Sequence, residues 1–202
     1  MNLADYFDDL AEWEGETTWL YCDVRGLVTI GIGNLVKDAD ACAALPLAHA
    51  LLLPDGSPAP EVTEDNKRDA YCRVLNAFNS PKSANAYRAI SDLRLTEGFV
   101  AQLVGQRLET EFYPGLLRLC PGFDAFPLPA RRALVDMAYN LGVHGLSEFP
   151  HLLEACNAGD WAEAARQCHR TSCRESRNLW TAQMFVDASA APPAPELDSR
   201  LR

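Results

Sequence analysis

The stretch WLYCDVRGLVTIGIGN, residues 19–34, decides the fold class of this chain. Two runs rich in β-branched and aromatic residues flank the tetrad DVRG at residues 23–26, which ends in glycine and is typical of a turn. The pattern predicts a β-hairpin. Gly31 and Gly33 in the return strand indicate a bulge or a close approach of another backbone segment.

Helical patterns surround this hairpin. Before it, apolar residues at helical spacing predict a helix that ends near Glu14. After it, Thr63 caps a predicted helix, and a further helix runs from Thr96 to just before Pro114. A strong helical pattern is stopped by Gly142, and shorter ones follow over residues 147–157, 160–172 and 175–186. The sequence therefore predicts an α+β protein that is mostly α, with one small early sheet.

Length and net charge disfavour some classes of function. The 202 residues suffice for one well-buried domain. A net charge of −10, from 18 basic and 28 acidic residues, argues against a general nucleic-acid binder and against adsorption to anionic membranes. Residues 1–65 hold 13 acidic residues but only Arg25 and Lys37, so the acidity is concentrated in the front of the chain.

Targeting and metal signals are weak. The N-terminus lacks the basic and apolar segments of a Sec-type signal, and no apolar run is long enough to predict a transmembrane segment. Seven cysteines lie inside apolar patterns and are predicted to be mostly buried thiols. Cys168, His169 and Cys173 have no accompanying CxxC pair, so we expect no metal and no cofactor.

Two carboxylates and a hydroxyl lie close together in the sequence. Glu14 is placed at a helix end, Asp23 at the hairpin turn and Thr29 on the return strand. Glycosidic cleavage needs one protonated carboxyl to donate to the leaving oxygen and one ionised carboxylate to activate water. The spacing by itself also fits a solvated helix end and an ordinary turn aspartate.

A family resemblance rests on the residues Glu14-Gly15, Tyr21-Cys22-Asp23, Gly26 and the run TIGIG at 29–33. They resemble the E-G, Y-x-D, G-x-x-T-I-G-I-G signature of the phage-type lysozymes, with nine residues from Glu to Asp and six from Asp to Thr. The second half is similar to the same family in MAYNLG at 137–142, WAEAA at 161–165 and the R-x7-F pattern from Arg177 to Phe185. The longer segment 37–95 resembles instead the lysozyme-like domains of larger bacterial antibacterial toxins.

The resemblance implies a two-lobed lysozyme-like fold in a single domain over residues 1–187. The N-terminal lobe would hold residues 15–95 with the hairpin, and the helical C-terminal lobe residues 96–187 with helix 3–14, joined by a connecting helix. Residues 188–202 are predicted to form a disordered tail. A cleft between the lobes would bind glycan.

The resemblance also implies the chemistry, which is hydrolysis of the β-1,4 bond between N-acetylmuramic acid and N-acetylglucosamine with inversion. Glu14 would be the general acid, Asp23 would orient or activate the water, and Thr29 would help to position it. Arg177 matches an arginine that pairs with the catalytic glutamate, although a surface helix arginine fits equally well. Asn140 matches a cleft amide, and its alternative is a polar residue near a helix end.

Two features depart from the family. Asn34 stands where many phage enzymes have histidine, so an ion pair often made there is missing. The family is usually basic, whereas this chain is acidic. Arg166, Arg170 and Arg174 are spaced for one helix face and predict a basic strip that could face the anionic substrate. A solvated helix face is the alternative for this strip.

Two other functions stay open. A lytic transglycosylase works with the glutamate alone and forms a 1,6-anhydro product, and a lysozyme-fold module can bind glycan or a partner without cleaving. We expect a monomer, made in the cytoplasm without a Sec signal, that acts on peptidoglycan in the periplasm or wall of a target bacterium. An immunity protein and a component of a secretion apparatus are the further partners considered for such an antibacterial effector.

Overall fold

The computed structural model describes residues 2–50, 59–96 and 98–191. The protein is α+β, with helices in most of the chain and small antiparallel sheets near its front. The helices are α1 Phe7–Glu14, α2 Ala39–Ala43, α3 Glu64–Asn76, α4 Phe99–Arg107, α5 Tyr113–Leu119, α6 Leu128–Ser147, α7 Pro150–Ala158, α8 Trp161–Gln167 and α9 Glu175–Ala190. The strands are β1 Thr17–Cys22, β2 Val28–Gly31, β3 Asn34–Leu35, β4 Leu47–His49 and β5 Leu93–Leu95.

The chain divides into two compact units. We call residues 14–105 the sheet unit, and residues 2–13 with 106–191 the helical unit. The division falls inside α1 and inside α4.

The sheet unit is built on the predicted hairpin. Strand β1 pairs antiparallel with β2, with Tyr21 opposite Thr29, and β2 pairs with β3. The register is irregular between Thr17 and Tyr21, so the bulge lies in β1. Helix α3 packs against β1 and β2, where Ile30 and Val74 are buried. Burial of each such side chain contributes about 1.5–3 kcal/mol and holds the hairpin on the helix.

Local signals set the start of α3. Thr63 accepts a hydrogen bond from the backbone N–H of Asn66, and the Asn66 side chain accepts one from the backbone of Thr63. This reciprocal capping confirms the helix start predicted at Thr63. Strands β4 and β5 form a second antiparallel pair, and β5 packs against β1.

In the helical unit α6 packs against α9, and α9 packs against α8. Helix α6 is buried on all sides over Ala133–Tyr139. The backbone leaves helical geometry at Gly142, with φ 74° and ψ 161°, and turns helical again up to Ser147. The predicted stop is therefore a break inside α6, at a residue whose positive φ suits glycine.

Three predicted boundaries were wrong. The helix predicted to end before Pro114 continues through a π-helical stretch, Leu108–Phe112, into α5, because proline is tolerated in the first turn of a helix. The helix predicted over 160–172 ends at Gln167. The tail predicted from residue 188 starts too early, since α9 continues to Ala190 with Ala188 buried, and residues 192–202 lie outside the described residues.

Two other expectations concern the whole chain. Of the seven cysteine thiols, all free, five are buried, which confirms the prediction of mostly buried thiols. None of the helices described here is long and apolar enough to cross a bilayer.

Candidate active site

Glu14 is the last residue of α1, and its side chain is exposed. Gly15 follows with φ 77°, a conformation that glycine adopts without strain, and the chain then enters β1. The Glu14 carboxyl is therefore accessible from solvent at the junction between α1 and β1.

Asp23 lies at the tip of the hairpin and is held by the turn itself. Its Oδ1 accepts hydrogen bonds from the backbone N–H groups of Arg25 at 2.8 Å and of Leu27 at 2.9 Å. Its Oδ2 lies 3.4 Å from Nε of Arg25. The side chain is 25% exposed. The carboxylate is thus fixed in one orientation while it still reaches solvent, as a group that activates water must.

Thr29 lies in β2, opposite Tyr21, with only 5% of its surface exposed. Its hydroxyl donates a hydrogen bond to the carbonyl oxygen of Leu27 at 3.0 Å. Since that bond uses its single hydrogen, the Thr29 hydroxyl acts toward a water molecule only as an acceptor. The backbone of Leu27 therefore bonds to both side chains, through its N–H to Asp23 and through its carbonyl oxygen to Thr29.

Tyr21 connects the two carboxyl groups. Burial raises the pKa of the Tyr21 hydroxyl, and the negative charges of Glu14 and then of Asp23 raise that pKa further. Both carboxylates therefore act on one phenol at the end of β1. Thr29 lies opposite Tyr21 in the sheet, and the charges of Glu14 and Asp23 both act on the Tyr21 phenol, a residue that the sequence motif includes only as part of Y-x-D.

Titration of Tyr21 gives a first testable prediction. Replacing Glu14 with Gln removes a nearby negative charge, so the Tyr21 phenolate becomes less unfavourable and its pKa falls toward the ordinary value. Asp23→Asn should lower the pKa less, because its charge contributes less than that of Glu14. NMR of the tyrosine ring carbons across alkaline pH measures both shifts. An unchanged Tyr21 titration in Glu14→Gln would contradict this grouping.

Asn34 and Gly31 lie beside this hairpin. Asn34 is buried, with 6% of its surface exposed, and neither polar atom of its side chain has a hydrogen-bond partner among the described residues. Its Nδ2 lies 2.8 Å from where a Cβ on Gly31 would stand. Glycine at 31, with φ 69°, is therefore required both by the close approach of Asn34 and by the backbone conformation.

The two other predicted site residues, Asn140 and Arg177, lie in the helical unit. Arg177 is buried, and its Nε and Nη2 lie 2.9 Å and 2.7 Å from Oδ1 of Asp136. Asn140 is exposed and accepts a hydrogen bond from Nη1 of Arg170 at 3.3 Å. Arg170 also reaches Oδ2 of Asp136 at 3.0 Å, so one buried network joins both predicted residues. The pairing of Arg177 with Glu14 would join residues of the two units and stays a prediction.

Burial of Arg170 corrects the predicted basic strip. The Arg170 side chain is only 1% exposed, and the residue lies after the end of α8. Arg174 is the residue directly before the first turn of α9. Arg166, Arg170 and Arg174 therefore share no helix face. Tertiary contacts explain the burial of Arg170. Its guanidinium group pairs with Asp136, and its Nη2 donates a hydrogen bond to the Thr181 hydroxyl at 2.7 Å.

The sequence patterns did not identify Asp136 as the partner of Arg170 and Arg177. It is a fully buried carboxylate in α6, within the apolar run ALVDMA at 133–138. A lone acidic residue inside an otherwise apolar helical run is the signal that could have identified it, because buried charges are paired. The described ranges hold no group of three or more His, Cys, Asp or Glu side chains that could bind a metal ion.

No protein-family model matches this chain, and no curated protein matches it either. Its function is therefore inferred from the geometry of the residues around Tyr21.

Proposed function

We propose that this chain is a peptidoglycan hydrolase that cleaves the β-1,4 bond between N-acetylmuramic acid and N-acetylglucosamine with inversion. The two units would be the two lobes of a phage-type lysozyme-like fold. The observation that supports the proposal is the hairpin, in which Asp23 accepts from the turn, Thr29 lies opposite Tyr21, and the charges of Glu14 and Asp23 both raise the pKa of Tyr21. Two carboxyl groups in different environments are the minimum that an inverting glycosidase needs.

Glu14 acts as the general acid in this proposal. It protonates the glycosidic oxygen as the bond to the anomeric carbon breaks, so the leaving sugar departs as a neutral alcohol. Its exposed position at the end of α1 allows access to a bound glycan.

Asp23 acts as the general base. It takes a proton from a water molecule that attacks the opposite face of the sugar, and the Thr29 hydroxyl accepts that water's second hydrogen. Inversion requires room for this water, which corresponds to a carboxyl separation of roughly 6.5–9.5 Å. The two backbone N–H groups that donate to Asp23 hold its carboxylate in one orientation.

Release of soluble fragments from purified, dye-labelled peptidoglycan tests the proposal. The protein should release dye in proportion to its concentration and without added metal. A folded protein that releases none would overturn the proposed function. The site of action that follows from the proposal is the wall of a target bacterium.

Two substitutions of Asp23 should differ, which gives a second prediction. Asp23→Asn keeps an oxygen for the N–H groups of Arg25 and Leu27, so the hairpin should stay intact while cleavage falls by about 100-fold or more. Asp23→Ala leaves both N–H groups without this acceptor and should also lower the free energy of unfolding by about 1–3 kcal/mol. Dye release and urea unfolding measure the two effects.

Asp38→Asn is the matched control, since Asp38 also accepts a backbone N–H, from Ala41, in the same unit. It should leave cleavage unchanged. Equal activity in Asp23→Asn and wild type would remove Asp23 from the mechanism.

A further inference from the structure

A pocket of about 650 Å³ lies in the sheet unit, away from the hairpin tip. Its polar lining comes from Asn85, Arg88, Ser91, Asp92 and Arg94. This volume is within the usual range for a small-ligand site. None of these residues takes part in the proposed cleavage.

Two guanidinium groups of the pocket are stacked on one indole ring. Arg88 and Arg94 lie 5.2 Å and 5.6 Å from the ring centre of Trp19. The Trp19 Nε1–H donates to the carbonyl oxygen of Ala84 at 2.8 Å, which fixes the ring. Cation–π contact therefore holds both positive charges in place.

Arg94 is also anchored through the backbone. Its Nη1 donates to the carbonyl oxygens of Ser91 and Leu93, each at 2.7 Å, and its Nη2 donates to that of Arg88 at 2.8 Å. Burial and then the positive charge of Arg88 lower the pKa of Arg94, and the negative charge of Asp92 only partly opposes them. Two like charges are thus held together at a cost that a bound anion would relieve.

No carboxylate in the described part of the chain forms an ion pair with Arg88 or Arg94. The one acidic residue in the lining, Asp92, accepts a hydrogen bond from Nδ1 of His49 at 2.5 Å. This bond lowers the pKa of Asp92, so the carboxylate stays ionised. The pocket therefore presents two positive charges and one negative charge a short distance apart.

The geometry points to a binding site for a zwitterionic peptide, namely the stem peptide of peptidoglycan, with its carboxylate on Arg88 and Arg94 and its free amine on Asp92. This inference rests on the proposed function. Stem peptides carry both free carboxylates and the free amine of a diamino acid. A purely acidic protein segment fits less well, since Asp92 repels it.

Distance along the strand is consistent with this assignment. Trp19 precedes Asp23 by four residues in the chain, which corresponds to roughly 13 Å along an extended strand. A four-residue stem peptide reaches at most about 13–14 Å when extended. A stem attached to a sugar near Asp23 is therefore about as long as the strand segment from Asp23 to Trp19, the residue that both guanidinium groups contact.

Calorimetry with the tetrapeptide N-acetyl-L-Ala-γ-D-Glu-L-Lys-D-Ala, whose one free amine is that of lysine, tests the site. The wild-type chain should bind it, and Arg88→Gln should weaken binding about tenfold through loss of one charge-assisted contact. Arg88 is exposed and donates to no described side chain, so the variant should melt like wild type. Arg118→Gln removes the same charge from an exposed position in the helical unit and should bind normally.

The amine is tested separately. Asp92→Asn should weaken binding of the tetrapeptide, and acetylation of the lysine amine should weaken binding to wild type and abolish the difference between wild type and Asp92→Asn. Absence of binding by wild type, or equal binding by Arg88→Gln, would overturn the inference. Tetraglutamate binding as tightly as the stem peptide would also overturn it, in favour of an acidic protein partner.

Free peptide binding requires no cleavage, so the two proposals fail separately. Binding without any release from peptidoglycan overturns the proposed function alone. Release from peptidoglycan without tetrapeptide binding overturns the stem-peptide site alone.

Discussion

Glu14→Gln is expected to lower the rate of peptidoglycan cleavage by about 100-fold to 10,000-fold, the range that general acid catalysis supplies. Glutamine occupies the same space but carries no acidic proton, so the leaving oxygen departs as an unprotonated alkoxide. Because the Glu14 side chain is exposed at a helix end, the free energy of unfolding should change by less than about 0.5 kcal/mol. Dye release and urea unfolding on the same preparation separate the two effects.

Glu16→Gln is the matched control for this loss. Glu16 is an exposed glutamate two residues further along the chain, so it changes the local charge by the same amount. Its cleavage rate should stay within about twofold of wild type, which corresponds to about 0.4 kcal/mol in activation free energy. A Glu14→Gln protein as active as Glu16→Gln would rule out Glu14 as the acid.

Asp136→Ala should destabilise the helical unit by about 3–5 kcal/mol, the largest stability effect we expect. The substitution leaves the guanidinium groups of Arg170 and Arg177, 1% and 7% exposed, without the carboxylate that both contact. For a chain of this length, each kcal/mol shifts Tm by roughly 2–4 °C, so Tm should fall by about 10 °C.

The exposed acid Asp8, in the same unit, provides the control. Asp8→Asn should change Tm by no more than about 2 °C, because exposed charges contribute little to stability. A loss below about 1 kcal/mol in Asp136→Ala, measured by urea unfolding, would show that the buried arginines do not depend on this carboxylate.

Local signals predicted the hairpin correctly. The turn tetrad at 23–26, the strands on either side of it and the helix end at Glu14 depend on contacts between near neighbours in sequence. The same holds for Thr63, whose cap involves only the next three residues. Such features are readable from sequence because their free energy does not depend on the rest of the fold.

Features that depend on distant contacts were not predictable in this way. The spacing of Arg166, Arg170 and Arg174 indicated a helix face, yet Arg170 is buried by Asp136, 34 positions earlier in the chain. Likewise, Trp19 contacts Arg94 because β5 packs against β1, and it contacts Arg88 because the 3-10 helix Ala84–Tyr87, just before Arg88, also packs against β1. Periodicity describes one element at a time and carries no information on which elements meet.

Mass spectrometry of the fragments released from purified peptidoglycan in ¹⁸O-labelled water distinguishes hydrolysis from the other outcomes. Hydrolysis adds one water across each cleaved bond, so we expect fragments ending in reducing N-acetylmuramic acid that carry one ¹⁸O atom. Attack of the sugar's own C6 hydroxyl on C1 forms a C1–O6 bond as the glycosidic bond breaks, adds no water and leaves a 1,6-anhydro end. Fragments with unlabelled 1,6-anhydro ends would contradict the account and identify a lytic transglycosylase, and intact glycan in the presence of folded protein would contradict any cleavage.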